Sequence, residues 1–186
     1  MGTILDTIIS FIIGALVILA ILGLNTSLTQ TSYDMTSQDN SQDSIEELLA
    51  MIKYDFAKIG FGVSHPTLPI ITLGNNNITF RSDVDNNGTI EQVRYFMSDS
   101  TAVTSTQNPH DCFLYRTING SEPAGTALGV TDFILTYYDE GGSQTWSPAS
   151  VRSIEIKIIV QSTFPVDGEY SLSERLIKIS PMPLQL

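Results

Sequence analysis

The feature that most constrains this chain is a long uncharged stretch close to its start. Residues 7–33 carry no charge, and residues 8–24 are apolar apart from Ser10 and a few small residues. As a helix, residues 4–24 would be about 30 Å long, which matches the hydrocarbon core of a bilayer. The sequence therefore predicts an N-terminal helix that can span a membrane.

The flanks of this stretch lack basic residues. Residues 1–52 contain acids but no Lys or Arg, and the first base is Lys53. A secretory signal peptide needs a basic region before its apolar run, and an ordinary membrane anchor is oriented by flanking bases. We therefore expect either that a leader has been removed upstream of residue 1 or that insertion uses another cue.

Asp6, Ser10 and Gly14 are the candidate assembly residues of this helix. Two interpretations of Asp6 are open. It is either a headgroup-zone acid favoured by the helix macrodipole, or a functional acid that pairs with a cation such as the terminal amine of a neighbouring copy. Ser10 and Gly14 form a small-xxx-small pair, which lets helix backbones approach closely.

Two further segments complete the predicted stem, residues 1–62. Residues 25–44 are nearly all Ser, Thr, Gln, Asn and Asp, which favours a loosened or melted section of helix. A capping box begins at Ser44, and apolar residues then recur at helical spacing until Gly60 offers a stop. We expect residues 45–59 to form an amphipathic helix that packs on the C-terminal part of the chain.

After Gly60 the apolar period changes from 3.6 to 2, which predicts a β-rich head, residues 63–186. The fold class is α+β: a long N-terminal hydrophobic helix followed by an antiparallel sheet. The candidate strands are residues 70–72, 77–81, 89–97, 112–117, 129–138, 153–161 and 172–179.

The loop between the second and third candidate strands begins like a calcium loop. Oxygen ligands occupy its first, third and fifth places and Gly88 its sixth, but the twelfth place is Arg94 instead of Glu. Two interpretations are open: a hairpin with an Asn-Gly turn and Asx-turns, or a turn that also binds calcium. The candidate ligands are Asp83, Asp85, Asn87 and Glu91.

The rest of the sequence predicts no catalytic residues and no cofactor other than calcium. His110-Asp111-Cys112 is an incidental trio, because adjacent strand residues point to opposite faces and no oxyanion site accompanies them. A net charge of −11 argues against a nucleic-acid partner. The sequons at Asn25, Asn77, Asn87 and Asn119 are candidate glycosylation sites.

The order of these segments resembles that of type IV pilin-like proteins, in particular minor pilins of the PilW kind and J-type pseudopilins. The resemblance covers nearly the whole chain. It is carried by the apolar run from Ile4 through Gly14, by the amphipathic continuation ending in Gly60-Phe61-Gly62, and by the later segments 78–80, 83–90, 93–95, 130–139 and 153–160.

The resemblance implies a structural subunit of an extracellular filament and not an enzyme. Before assembly the helix would be held in the inner or cytoplasmic membrane, and assembly machinery would then pack it against copies of itself or other pilins. A peptidase would remove a basic leader, and Asp6 would pair with a neighbour's terminal amine, as the family's acid at the fifth mature position does. That position is Leu5 if residue 1 is the mature terminus and Asp6 if residue 2 is.

A second function class accounts for the same hydropathy. In it, the chain is a membrane-anchored monomeric surface adhesin or calcium-binding β module that forms no polymer. It explains the missing basic flank and Asp6 less well than the filament does.

Overall fold

The computed structural model describes the backbone of residues 2–165 and 168–184, and the side chains of these residues except Leu5, 33–44 and 124–128. Helix α1 (Gly2–Ala57) comes first. Seven strands follow: β1 (Ile70–Leu73), β2 (Asn77–Ser82), β3 (Glu91–Met97), β4 (Cys112–Ile118), β5 (Ala124–Tyr138), β6 (Ser153–Gln161) and β7 (Leu172–Ile179). Short 3-10 turns lie at Ser100–Ala102 and Met182–Leu184.

The strands form one antiparallel sheet in the order β1 to β7, so each strand pairs with its neighbour along the chain. Burial of the side chains alternates along the strands, as expected for a sheet with one face against the core. In β6 the residues Ile154, Ile156 and Ile158 are buried, while the residues between them are partly exposed. All seven predicted strands are present and the α+β prediction is confirmed; β5 begins at residue 124, earlier than expected.

The chain divides into two compact units, one up to Asn40 and one from Ser41 onward. The amphipathic residues 45–59 therefore belong to the head, whereas the sequence pattern grouped them with the stem and placed the boundary after residue 62. The reason is packing, because their apolar stripe is buried in the head core. The stripe consists of Ile45, Leu48, Leu49, Ile52, Phe56 and Ile59.

Aromatic rings hold the last turns of α1 against the sheet. The Phe56 ring centre lies 5.7 Å from that of Phe80 on β2 and 5.5 Å from that of Tyr95 on β3. Phe133 on β5 continues this group, with its ring centre 6.4 Å from that of Tyr95. All four side chains are buried, so the core centres on this contact.

The backbone is helical throughout residues 25–44, where we expected a loosened section, and no new helix begins at Ser44. Threonine hydroxyls in this segment bond within the helix instead of competing with it. Thr26 and Thr29 donate to the carbonyls four residues earlier, at 3.0 and 2.8 Å. Without Gly or Pro, the polar composition is compatible with continuous helix.

The helix ends close to the predicted stop. The amides of Lys58 and Ile59 donate to carbonyls three residues back, which tightens the last turn. Gly60 then adopts φ +85°, a conformation that other residues rarely take, and its amide donates to the Arg81 carbonyl at 2.9 Å. Gly60 thus turns the chain from the helix onto β2.

Candidate functional site

The N-terminal unit contains the first candidate site, the apolar segment Asp6–Ser32. It has 27 residues, its most apolar window of 18 residues has a mean hydropathy of 2.8, and none of that window is buried within the protein. Its large side chains are open, with Phe11 75% and Leu19 64% exposed. By length and composition this helix could cross a membrane.

Asp6, Ser10 and Gly14 lie four residues apart, and the helix brings them to one side of α1. The Ser10 hydroxyl donates to the Asp6 carbonyl at 2.8 Å, so it is satisfied within the helix. A methyl group added at Gly14 would meet nothing within 4 Å. Ser10 and Gly14 therefore leave this side of the helix free of large side chains, with Asp6 one turn before them, so another helix could pack closely against it.

The second candidate site is the loop between β2 and β3. Ligand oxygens of Asp83, Asp85 and Glu91 lie within 4.8 Å of one another. Asp83 and Glu91 are buried, and Asp85 is exposed. Three of the four predicted ligands therefore converge, and their all-oxygen chemistry fits a hard cation such as calcium.

The hydrogen bonds of this loop account for its shape. The Asp83 carboxylate accepts the amides of Asn87 and Gly88, both at 3.0 Å, and the Glu91 carboxylate accepts the Val84 amide at 3.0 Å. Asn86 and Gly88 adopt φ of 60° and 83°. The predicted hairpin is present, with Asx-turn bonds at Asp85 and Asn87, but positive φ occurs at Asn86 and Gly88 and not at both residues of the predicted Asn-Gly turn.

The fourth predicted ligand, Asn87, is already engaged within the loop. Its side-chain oxygen accepts the Thr89 amide at 2.7 Å, and its side-chain nitrogen donates to Asp85 at 2.8 Å. An ion that used this oxygen would share it with Thr89. The acidic group Asp83, Asp85 and Glu91 is therefore the stronger donor set.

Lys58 is a part of this site that the sequence did not reveal. Its ammonium group donates to the Val84 carbonyl at 2.8 Å and to the Asn86 side-chain oxygen at 3.0 Å. It also lies 4.6 Å from the ring centre of Tyr54, whose hydroxyl donates to the same Val84 carbonyl at 3.0 Å. A lysine and a tyrosine one helical turn apart thus fasten the acidic loop to the end of α1.

A buried ion pair is the second feature that the sequence did not reveal. Arg116 on β4 donates twice to the Asp55 carboxylate, at 2.6 and 3.1 Å, and the Tyr95 hydroxyl donates to it at 2.6 Å. Burial raises the pKa of Tyr95, and the Asp55 charge adds to this shift. Burial opposes the charge on Arg116, but its hydrogen bonds to Asp55 raise its pKa. The sequence signal that could have revealed this ion pair is Asp55, an acidic residue within the apolar stripe of residues 45–59.

His110 and Cys112 line a cleft of about 490 Å³ together with Asp99 and Asp132. Burial raises the pKa of the Cys112 thiol, and the nearby carboxylates, Asp132 first, raise it further. A thiol in such surroundings is held in its protonated form and is a weak nucleophile. The chemistry of this cleft therefore agrees with an incidental trio.

The four sequons lie in different surroundings. Asn25 is within the apolar segment Asp6–Ser32, and Asn77 is half-buried at the start of β2. Asn87 and Asn119 are exposed in turns, although the Asn119 side-chain oxygen accepts the Gln92 amide at 2.8 Å. Of the four, only Asn77 is partly buried, and the two exposed positions outside the apolar segment are Asn87 and Asn119.

Comparisons with protein-family models and with curated proteins bear on the resemblance to type IV pilins. Neither finds a match for this chain. The resemblance rests on the order of the segments and on the residues that carry it. The two candidate sites, the apolar segment Asp6–Ser32 and the acidic loop between β2 and β3, provide independent observations on function.

Proposed function

We propose that this chain is a structural subunit of an extracellular filament of the type IV pilus or pseudopilus kind. Its N-terminal helix would lie in the cytoplasmic membrane first and then pack against copies of itself or other pilins as assembly machinery extracts it. The observation that carries the proposal is the segment Asp6–Ser32, the most apolar window of which is unburied among the residues that the structure describes.

The exposed apolar surface of this segment is unfavourable in water. Apolar surface exposed to water costs about 25 cal/mol per Å², so a helix of this composition requires lipid or other protein around it. Exchange of lipid for neighbouring helices is close to neutral in hydrophobic energy, because lipid tails are as apolar as leucine. Such an exchange suits reversible assembly that a motor drives.

The head is suited to carry a load from such a stem. Any force on α1 reaches the sheet through the buried stripe of residues 45–59 and through the Asp55–Arg116 pair. These contacts join the helix to β2, β3 and β4. The excess of acids in residues 53–186, fourteen against nine bases, keeps exposed heads soluble.

Substitution of Asp6 tests the proposal. Asp6→Ala should abolish filaments in material sheared from the cell surface while the chain still inserts in the membrane, because a partner's cation loses its acid. Asp6→Glu should restore them, and Thr7→Ala, a change at the next exposed position, should have no effect. Normal filaments from Asp6→Ala would contradict this role of Asp6.

One observation favours a second candidate function, a membrane-anchored surface adhesin or module that binds calcium. It is the convergence of Asp83, Asp85 and Glu91 within 4.8 Å. Calorimetry on the full chain in detergent should then show calcium binding that Asp85→Asn removes, with the exposed Glu140→Gln as control. If calcium produces no heat and a chelator leaves the melting temperature unchanged, calcium has no part in either function.

A further inference from the structure

The last strand of the sheet has an open edge. β7 lies at one end of the strand order and, within residues 2–165 and 168–184, pairs only with β6. It has eight residues, twice as many as the four of β1 at the opposite edge. An uncovered edge presents unpaired N–H and C=O groups that another strand can use.

The side chains of β7 alternate between two faces. Ile177 and Ile179 pack against the core, whereas Leu172 and Leu176 are each 61% exposed on the other face. Edge strands that resist pairing usually carry charge at their centre. Here the charged residue at the centre, Arg175, lies on the inner face and donates to Ser173, while the central residue of the open face is Leu176, with Glu174 two residues before it and Lys178 two residues after it.

We propose that β7 pairs antiparallel with β7 of a second copy of this chain, with the twofold axis at Leu176, so that two heads share one continuous sheet. Each residue then faces the one equally far on the other side of Leu176. Leu176 meets its own copy, and Glu174 faces Lys178 on both sides of the axis. The edge is thus complementary to itself in charge.

The charges select this register among the central ones. A twofold axis at Glu174, Arg175 or Lys178 would set that residue opposite its own copy, and like charges directly opposite are unfavourable. An axis at Ile177 would place Glu174 opposite Ser180 and leave its charge unmatched. Only the axis at Leu176 avoids like pairs and forms two opposite ones.

The existing contacts of these charges agree with the proposal. Glu174 pairs with Lys157 at 3.0 Å, with both side chains partly exposed, and the Lys178 ammonium lies 4.2 Å from the Tyr138 ring centre. Both charged groups are therefore held on the open face of the sheet. A second copy would extend these contacts into a network across the axis.

This contact does not rest on the filament. A filament repeats one head-to-tail contact, whereas the β7 pair closes on itself. If the chain does form filaments, the pair would join heads of neighbouring filaments. If it does not, the pair would make a dimer of the membrane-anchored protein.

Disulfide trapping of the full chain in detergent tests the contact. Leu176→Cys should oxidise to a dimer, because facing residues have Cα atoms about 4.5–5.5 Å apart, within disulfide range. Leu172→Cys, equally exposed on the same face, is the matched control. Its two copies would lie about 26 Å apart, so it should stay monomeric. The unchanged chain, with its buried Cys112, sets the background.

Charge reversal sharpens the test. In the Leu176→Cys chain, Glu174→Lys or Lys178→Glu alone should lower the dimer yield about tenfold, since each turns two opposite pairs into like pairs. The double change should restore the yield. Equal trapping at 172 and 176, no dimer from Leu176→Cys, or no rescue by the double change would overturn the proposal.

Discussion

The two ends of α1 are built from similar apolar residues but meet opposite surroundings. Phe11 is 75% exposed, while Phe56 is fully buried against Phe80 and Tyr95. The segment Asp6–Ser32 finds no cover within its own unit, whereas residues 45–59 form one side of the head core. The apolar side chains of residues 45–59 are covered by the head itself, whereas those of Asp6–Ser32 are exposed among the described residues.

This difference gives each end a distinct physical role. The buried end contributes to the stability of the head, because its apolar area leaves water when the head folds. Under the proposed function, the exposed end would contribute to insertion and association, because its area would leave water only with lipid or another helix. Substitutions at the two ends should therefore separate folding from assembly.

The largest expected effect comes from the matched phenylalanines. Phe56→Ala should lower the free energy of unfolding of the head by about 3–5 kcal/mol, the usual cost of such a cavity. Phe11→Ala should leave it unchanged, since Phe11 takes no part in the head core. Urea denaturation of the full chain in detergent, followed by near-UV circular dichroism, measures both. Equal losses would remove the distinction between the two ends.

A smaller effect is expected from the buried ion pair. Asp55→Asn should cost the head about 2–3 kcal/mol, because Arg116 then lacks its counter-charge. The cost is below that of a fully buried pair because the Arg116 side chain is 21% exposed. Lys157→Ala, which breaks the exposed pair with Glu174, should cost under about 1 kcal/mol in the same assay. A similar cost for both variants would contradict the proposed link between helix and sheet.

The smallest effect concerns Asp111, which is buried and has no hydrogen-bond partner for either carboxylate oxygen among the described residues. Burial raises its pKa in the folded protein, so the folded state binds its proton more tightly than the unfolded state does. The contribution of Asp111 to the free energy of unfolding is therefore greatest at low pH and falls as pH rises from about 4 through the raised pKa.

Asp111→Asn should remove this part of the pH dependence and raise the melting temperature at neutral pH more than at pH 4. Thermal melting of both chains over a pH series measures the difference, with the exposed Glu140→Gln as control. A constant difference across pH would mean that Asp111 does not titrate in this way.

The sheet could be predicted because its signals are local. Each strand has its own period-2 pattern, and prolines and glycines separate the strands, so all seven were found. The continuity of the helix through residues 25–44 was not predicted, because composition alone favours a loosened section there and the threonine bonds that accommodate the helix depend on helical geometry. The boundary at Asn40 depends on packing, which a sequence pattern does not give.

The candidate sites could be predicted only where their residues are close in sequence. Asp83, Asp85 and Glu91 belong to one short loop, and spacing identified them. Asp55 and Arg116 lie 61 residues apart and meet only because the fold brings the Arg116 side chain of β4 to the last turn of α1. Lys58 joins the acidic loop in the same way, through the fold and not through a motif.

In the proposed filament, the exposed end of α1 would be buried among copies of itself. Electron microscopy of material sheared from the cell surface, with mass spectrometry of its subunits, tests this proposal most directly. We expect fibres built from this chain, with the helix of residues 6–32 packed at their centre. A chain found only as a membrane-bound monomer, with no fibres containing it, would contradict the proposal.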